Sequence, residues 1–174
     1  PVVFAVHPSA TGVSGLTADQ ALGIYSGKIT NWSELGGPDL PITRVCRQIP
    51  ETSRVILNAA IPGFEADDCR GQAIAYTTPD AVAMTAEHPG AIGYFSLSAM
   101  TATKLVPLDF NGVSPTPEHV GRNTYPLTIP LALAYKPPLP SAAERFLKFL
   151  ASPDALSVMT RLGCLPTLGK HTAP

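Results

Sequence analysis

The sequence predicts an α/β fold, a mixed sheet flanked by helices, and three observations support this. Residues 2–6 (Val-Val-Phe-Ala-Val) form an apolar run of strand length, and residues 91–95 form another. Between them lie segments with helix start signals, the clearest being Thr17 followed three residues later by Gln20. Strands that alternate with capped helices are typical of an α/β sheet.

The composition describes a soluble globular protein and excludes several function classes. Of the 174 residues, 45% are apolar and 14% are charged, which suffices for one substantial core. The net charge of −1 provides no basic field for nucleic acid. No apolar run approaches the ~20 residues of a membrane-spanning helix. The 19 prolines and 14 glycines predict many turns and short elements.

The first helix is defined by signals at both of its ends. Thr17 and Gln20 form a capping-box pattern, so we expect the helix to begin at Ala18. Gly27 stands where a left-handed residue ends a helix. Trp32, the only tryptophan of the chain, follows shortly after and is expected to be buried.

The middle of the chain predicts one further strand and two helices. Residues 41–47 are rich in β-branched side chains and predict a strand. Thr52 and Ser53 are both candidate N-caps for the next helix, which Pro62 stops. Thr78, followed by proline at the first helical position, is expected to cap a third helix.

The last third predicts two strands and two closing helices. Residues 104–108 are a short strand candidate, and apolar residues at every second position predict a strand within residues 126–136. Helices are expected at residues 141–150 and 153–162. Ser152 is the expected cap of the second.

Several of these segments together resemble one known family. Residues 15–32 (Gly-Leu-Thr-Ala-Asp-Gln-Ala-Leu-Gly-Ile-Tyr-Ser-Gly-Lys-Ile-Thr-Asn-Trp) closely resemble a segment of the phosphate-binding proteins of bacterial ABC transporters. Residues 89–94 (Pro-Gly-Ala-Ile-Gly-Tyr), 111–116 (Asn-Gly-Val-Ser-Pro-Thr) and 146–153 are similar to later motifs of that family, in the same order. The resemblance implies the type 2 periplasmic-binding fold, which has two lobes.

The resemblance also implies a division of the chain. Residues 1–123 match the α/β domain of the second lobe, residues 124–169 match the return strand and closing helices of the first lobe, and residues 170–174 are expected to be a flexible tail. The N-terminal part of the first lobe, with its Gly/Ser-rich loop, has no counterpart here. It is either removed or supplied by another polypeptide.

The family's second lobe holds an oxyanion with an arginine after a strand and a Gly/Ser/Thr-rich loop that opens a helix. Arg47, Thr52 and Ser53 match this pattern, whereas residues 49–51 (Ile-Pro-Glu) replace an acidic residue, a glycine and a serine. Proline removes a backbone donor. Glu51 either repels an anion or simply caps a helix whose loop has lost its ligand. Arg47 is either an anion ligand or a structural ion-pair partner.

A second helix start contributes two further candidates. In the family architecture, the helix that opens at Thr77 and Thr78 faces the cleft, so the resemblance implies that both hydroxyls can contribute to the ligand site. Capping alone also accounts for Thr78.

The three cysteines are an odd number, so at least one has no internal partner. According to the resemblance, Cys46 and Cys69 lie in the second lobe and Cys164 does not. In an exported protein, Cys46 and Cys69 are therefore the expected disulfide. Unpaired, buried cysteines are the alternative.

The resemblance implies a non-enzymatic solute-binding domain that binds phosphate or a similar oxyanion. It implies a location in the periplasm or at the cell surface. The implied partner is a membrane transporter or a chain that supplies the missing lobe. The 174 residues include no signal segment. Weak binding is expected, because the ligand loop departs from the family pattern. The alternative is an interaction or sensor module that kept the fold and lost the site.

A hydrolase using Cys46 and a histidine has no local support, and no metal or cofactor motif is present.

Overall fold

The computed structural model describes residues 1–66, 69 and 71–166. The strands and helices are, in chain order, β1 (Val2–Val6), β2 (Gly15–Leu16), α1 (Ala18–Tyr25), β3 (Thr43–Arg47), α2 (Thr52–Ala60), β4 (Ala73–Ala75), α3 (Thr78–Glu87), β5 (Ala91–Ser96), β6 (Val106–Pro107), β7 (Asp109–Phe110), α4 (Pro117–Gly121), α5 (Ser141–Leu150) and α6 (Pro153–Arg161). Among the described helices, none combines the length and the apolar character needed to span a membrane. The tail expected at residues 170–174 lies outside the described residues.

The predicted mixed sheet is confirmed. Its five strands lie in the order β4-β3-β5-β1-β6. Strand β3 runs parallel to β4 and β5, and β1 runs antiparallel to β5 and β6. Strands β2 and β7 form a separate parallel pair. Because β3, β4 and β5 point the same way, the loops that follow them leave one common edge of the sheet.

Helices cover both faces of this sheet. Val2, Phe4 and Val6 of β1 belong to a core that includes residues of α1 and α2. Val3 and Ala5 point to a second core built with α3. All five residues of β1 are buried, as expected for a central strand that is covered on both sides.

Helix α1 has the boundaries that its end signals predict. The Thr17 hydroxyl accepts the Gln20 backbone N–H (3.2 Å), and the Gln20 amide oxygen accepts the Thr17 N–H (2.8 Å). Gly27 follows the helix with a φ of 78°, a conformation that glycine adopts without strain. Trp32 is fully buried, and its Nε1–H donates to the Gly90 carbonyl (2.9 Å).

The N-cap of α2 differs from the prediction. Thr52 and Ser53 were the expected caps, but the cap is Glu51, whose carboxylate accepts the backbone N–H of Arg54 at 3.2 Å. Glu51 has extended backbone angles (φ −73°, ψ 141°), so its longer side chain can turn back over the first turn. The expectation that Glu51 can cap this helix is confirmed.

The start of α3 is displaced by one residue from the prediction. Thr77, not Thr78, is the N-cap, and Thr78 is the first helical residue. The Thr77 hydroxyl accepts the N–H of Asp80 (3.2 Å), and the Asp80 carboxylate accepts the N–H of Thr77 (3.1 Å). This reciprocal pair selects Thr77, because Asp80 lies at the third helical position counted from it.

Two predicted strands are wrong in whole or in part. Residues 126–136, all described, contain no strand, and the strand expected at 104–108 is reduced to the two residues of β6. Strand β4 was not predicted. An alternating pattern becomes a strand only beside a partner that accepts its hydrogen bonds, and residues 128–136 have none in the described structure.

The chain that follows residue 124 is attached to the sheet near its start. The Val2 N–H donates to the Leu127 carbonyl (2.8 Å), and the Tyr125 hydroxyl donates to the Val2 carbonyl (2.8 Å). Burial, with a smaller contribution from the negative charge of Asp109, raises the pKa of Tyr125. The phenol therefore stays protonated and keeps this hydrogen bond at neutral pH.

Beyond this attachment, the C-terminal part exposes many large apolar side chains. Eight of the thirteen exposed large apolar residues in the described part lie between positions 131 and 165. Leu131 is the most exposed, at 84%. We call this set the C-terminal apolar surface; its members are Leu131, Leu133, Tyr135, Phe146, Phe149, Val158, Leu162 and Leu165.

The expected disulfide is present. Cys46 and Cys69 are bonded, with their Cα atoms 5.9 Å apart, and Cys164 is free. The bridge connects β3 to the segment that precedes β4. Closing a loop with a sequence separation of 23 stabilises the fold by about 3 kcal/mol in the chain-entropy model.

The oxidised protein is expected to carry a single reactive thiol, because only Cys164 is outside the disulfide. Alkylation in denaturant without reductant, followed by mass spectrometry, should modify one cysteine. The same treatment after reduction should modify all three and serves as the control. Three modified cysteines without reductant would contradict the disulfide.

Candidate functional site

The candidate site lies at the edge of the sheet where β3 and β4 end. Arg47, the last residue of β3, is paired in register with Ala75, the last residue of β4. Helices α2 and α3 each begin a few residues further on, at Thr52 and Thr78. Two helix N-termini, each with a partial positive charge, therefore meet beside Arg47.

Arg47 is held in place by contacts on both its backbone and its side chain. Only 2% of the residue is exposed. Its backbone N–H donates to the Tyr94 hydroxyl (3.1 Å), and its Nη1 donates to the Thr78 hydroxyl (3.3 Å). Within the described part of the chain, its Nε has no hydrogen-bond partner. The guanidinium is thus a buried cation with unused donor capacity.

Glu51 supplies a negative charge at the N-terminus of α2. Its Oε1 lies 3.5 Å from Nη2 of Arg47 and accepts the Ser53 hydroxyl at 3.3 Å. Its Oε2 accepts the backbone N–H of Arg54 at 3.2 Å. The exposed fraction is 3% for the Arg47 side chain and 17% for the Glu51 side chain, so this ion pair is largely removed from solvent.

The five sequence-predicted site residues divide into two groups. Arg47, Ser53 and Thr78 converge, since Arg47 contacts Thr78 and both Arg47 and Ser53 contact the same carboxylate. Thr52 and Thr77 are exposed, and the Thr77 hydroxyl caps α3. Ligand binding by any of the five stays a prediction.

Sequence reasoning missed the contribution of Tyr94. This residue lies on β5, beside β3, and its buried hydroxyl fixes the backbone of Arg47. A signal was present, because Tyr94 ends the Pro-Gly-Ala-Ile-Gly-Tyr motif at residues 89–94. Its partner lies 47 residues away in the chain, so the motif alone did not indicate the contact.

A second arginine, Arg54, contacts the disulfide. Nη1 of Arg54 donates to Sγ of Cys69 (3.0 Å) and lies 3.5 Å from Sγ of Cys46. Its guanidinium carbon lies 5.8 Å from the centroid of the Phe64 ring. Arg54 therefore joins the disulfide to the aromatic core, and it contributes its backbone N–H to the Glu51 carboxylate.

The chemistry of this arrangement suits an anion. Arginine and helix N-termini are the usual donors to carboxylate, phosphate and sulfate oxygens. Metal binding has no comparable basis, because the described residues contain no group of three or more His, Cys, Asp or Glu side chains arranged to hold an ion. In this structure the anion beside Arg47 is the protein's own Glu51.

Comparison with known proteins gives a consistent result. A family model described as a PBP superfamily domain matches residues 1–154. The phosphate-binding protein PstS of Bacillus subtilis (strain 168) is 34% identical over 164 residues, which are 93% of this chain and 53% of the relative. The chain thus spans about half the length of the curated relative that it matches.

Solved structures share the fold. A structure from Clostridium perfringens, described as a phosphate ABC transporter substrate-binding protein with bound phosphate, superposes with a TM-score of 0.82 at 26% identity, over 95% of this chain and 68% of that one. An ABC-type phosphate transport receptor from Vibrio cholerae gives a TM-score of 0.67 at 22% identity, over 95% and 69% of the two chains. The second likeness shows the fold alone.

Proposed function

We propose that this chain is the oxyanion-binding part of a non-enzymatic solute receptor. The chain belongs to the family described as a PBP superfamily domain, and the proposal proceeds from this membership. The receptor works outside the cytoplasmic membrane and delivers phosphate or a similar oxyanion to a membrane ABC transporter. In this proposal residues 1–123 form the second lobe, which holds the ligand, and residues 124–169 belong to the first lobe.

One observation carries the proposal. Arg47 is buried at the end of β3, between the N-termini of α2 and α3, and donates to Thr78. Burial of a cation is costly unless an anion neutralises it. A buried arginine between two positive helix ends is therefore an arrangement that stabilises an anion beside it.

The relatives support the same conclusion. The Bacillus subtilis relative is named a phosphate-binding protein, and the Clostridium perfringens structure contains bound phosphate. Both are longer than this chain. We propose that the additional length corresponds to polypeptide that covers the ligand from the opposite side and packs against the C-terminal apolar surface.

The affinity of these 174 residues for phosphate is expected to be weak. Each missing charge-assisted hydrogen bond costs about 1.5–3 kcal/mol, and every contact from the opposite lobe is missing. Glu51 adds repulsion of roughly 1–4 kcal/mol against an anion about 4 Å away. We expect a dissociation constant near pH 7 that is millimolar or weaker.

Calorimetry and thermal unfolding test this expectation. If the dissociation constant is about 1 mM, phosphate at about 100 mM stabilises the fold by about 2.7 kcal/mol, which raises Tm by roughly 5–10 °C. Sodium chloride at equal ionic strength is the control and should not produce this rise. A micromolar dissociation constant would contradict the weak-binding argument.

A second candidate function rests on the Arg47–Glu51 pair, whose atoms approach to 3.5 Å. A site neutralised by its own carboxylate can also serve an interaction or sensor module that no longer binds a solute. No stabilisation by phosphate, sulfate, arsenate or any other oxyanion tested would favour this candidate over the receptor.

A further inference from the structure

Glu51 occupies the place that an oxyanion would take at the start of α2. Its two carboxylate oxygens accept hydrogen bonds from the hydroxyl of Ser53 and the backbone N–H of Arg54, and they form an ion pair with the guanidinium of Arg47. These are the kinds of donor that helix N-termini and arginines offer to phosphate and sulfate. Chemically, a carboxylate is itself an oxyanion.

We propose that Glu51 is an intramolecular anion, and that an external oxyanion enters this site only by displacing it. This inference rests on the proposed function, because it assumes that Arg47 and the N-terminus of α2 are the ligand site. It assigns Glu51 a regulatory role: the carboxylate closes the site in the absence of ligand and sets the affinity.

The geometry explains why Glu51 and a ligand cannot share the site. The Glu51 side chain is 83% covered and fills the space directly beside Nη2 of Arg47. A second anion at ion-pair distance from Arg47 would lie within a few ångströms of a like charge in a poorly solvated environment. The N–H of Arg54 is also already bonded, so a ligand gains this donor only when the carboxylate leaves.

The structure also shows how the carboxylate can leave without unfolding α2. Glu51 is the N-cap and not a residue within the helix. Rotation of its side chain therefore breaks the capping bond, the Ser53 hydrogen bond and the ion pair, but leaves the intrahelical bonds intact. A bound oxyanion would then accept the same N–H and replace the lost cap. Ligand binding and release of Glu51 are thus one exchange at the same donors.

Two substitutions of Glu51 test whether its carboxylate competes with an external oxyanion. Glu51→Ser removes the charge and the bulk but keeps a good N-cap residue. Glu51→Gln removes only the charge. Titration with inorganic phosphate, followed by calorimetry, should show at least tenfold tighter binding for Glu51→Ser and a smaller gain for Glu51→Gln. Thermal unfolding checks that both variants are folded.

Glu118→Gln is the matched control. Glu118 also forms an ion pair with an arginine four residues away, Arg122, at 3.0 Å, but both side chains are mostly exposed. This variant makes the same change in net charge far from the site in sequence. Its phosphate affinity should stay within twofold of the unmodified chain.

The outcomes separate this inference from the function on which it rests. If the unmodified chain binds phosphate weakly and neither Glu51 variant binds tighter, the displacement idea is overturned and the receptor function stands. An equal gain for Glu118→Gln also overturns it, since the effect would then be one of net charge. If no protein binds phosphate at any concentration tested, both the inference and the oxyanion-receptor function fail.

Discussion

Replacing Arg47 with alanine should abolish phosphate binding and also lower the free energy of unfolding by about 3 kcal/mol. The loss of binding follows from the removal of the buried cation that lies beside the N-termini of α2 and α3. The loss of stability arises because Glu51 is left as an unpaired, mostly buried carboxylate. Removing one partner of a buried ion pair typically costs about 3–5 kcal/mol, and the partial exposure of Glu51 favours the lower end.

The Arg47 prediction has an internal control on the same strand. Arg44 also lies on β3, and its Nη1 donates to the Tyr25 carbonyl (2.9 Å) at the end of α1. Arg44→Ala should therefore reduce stability without changing the phosphate affinity. Arg47→Lys should keep part of the binding, because lysine retains the charge but not the forked donors. Phosphate binding by Arg47→Ala equal to that of the unmodified chain would contradict the assignment of the site.

Local signals in the sequence were sufficient for α1 and insufficient for α2. The Thr17–Gln20 box closes within four consecutive residues, so residue types alone place the start of α1. At α2 the same reasoning favoured Thr52 or Ser53, whereas the cap is Glu51. Glutamate is a less common N-cap, and its carboxylate also pairs with the guanidinium of Arg47, a contact that residue preferences do not include.

Pairing between strands accounts for most of the remaining differences. Strand β4 has three residues and exists because β3 lies beside it. Residues 126–136 have the better strand pattern, yet they form no strand where no partner is described. Intrinsic strand propensity is a weaker guide than the neighbours of a strand, and those neighbours are distant in sequence.

The candidate site could be located from the sequence but not resolved. The motif pattern placed Arg47 after a strand and the hydroxyl residues at two helix starts, and the structure shows that arrangement. The sequence left open whether Glu51 repels an anion or caps a helix, and whether Arg47 binds an anion or forms a structural ion pair. The structure shows the cap and the ion pair. Such contacts depend on side-chain conformations across non-adjacent segments, as does the support from Tyr94.

The second prediction with a large expected effect concerns association through the C-terminal apolar surface. We expect the isolated chain to self-associate as its concentration rises and to bind an apolar fluorescent dye. Full burial of one such side chain is worth about 1.5–3 kcal/mol. Even half of this for each of the eight exposed residues is comparable to the estimated 4–15 kcal/mol cost of association. If these side chains adjoin one another, they form the kind of apolar patch that a partner covers.

Substitutions on α5 test the role of this surface directly. Phe146 and Phe149 are 53% and 56% exposed, so replacing both with serine should change stability little and should reduce association and dye binding strongly. Tyr76→Ser is the control, because Tyr76 is also an aromatic residue and 65% exposed but lies outside this surface. Light scattering after size-exclusion chromatography measures the association. A chain that stays monomeric at all concentrations and binds no dye would argue against a covering partner, since the surface would then be tolerated in water as it is.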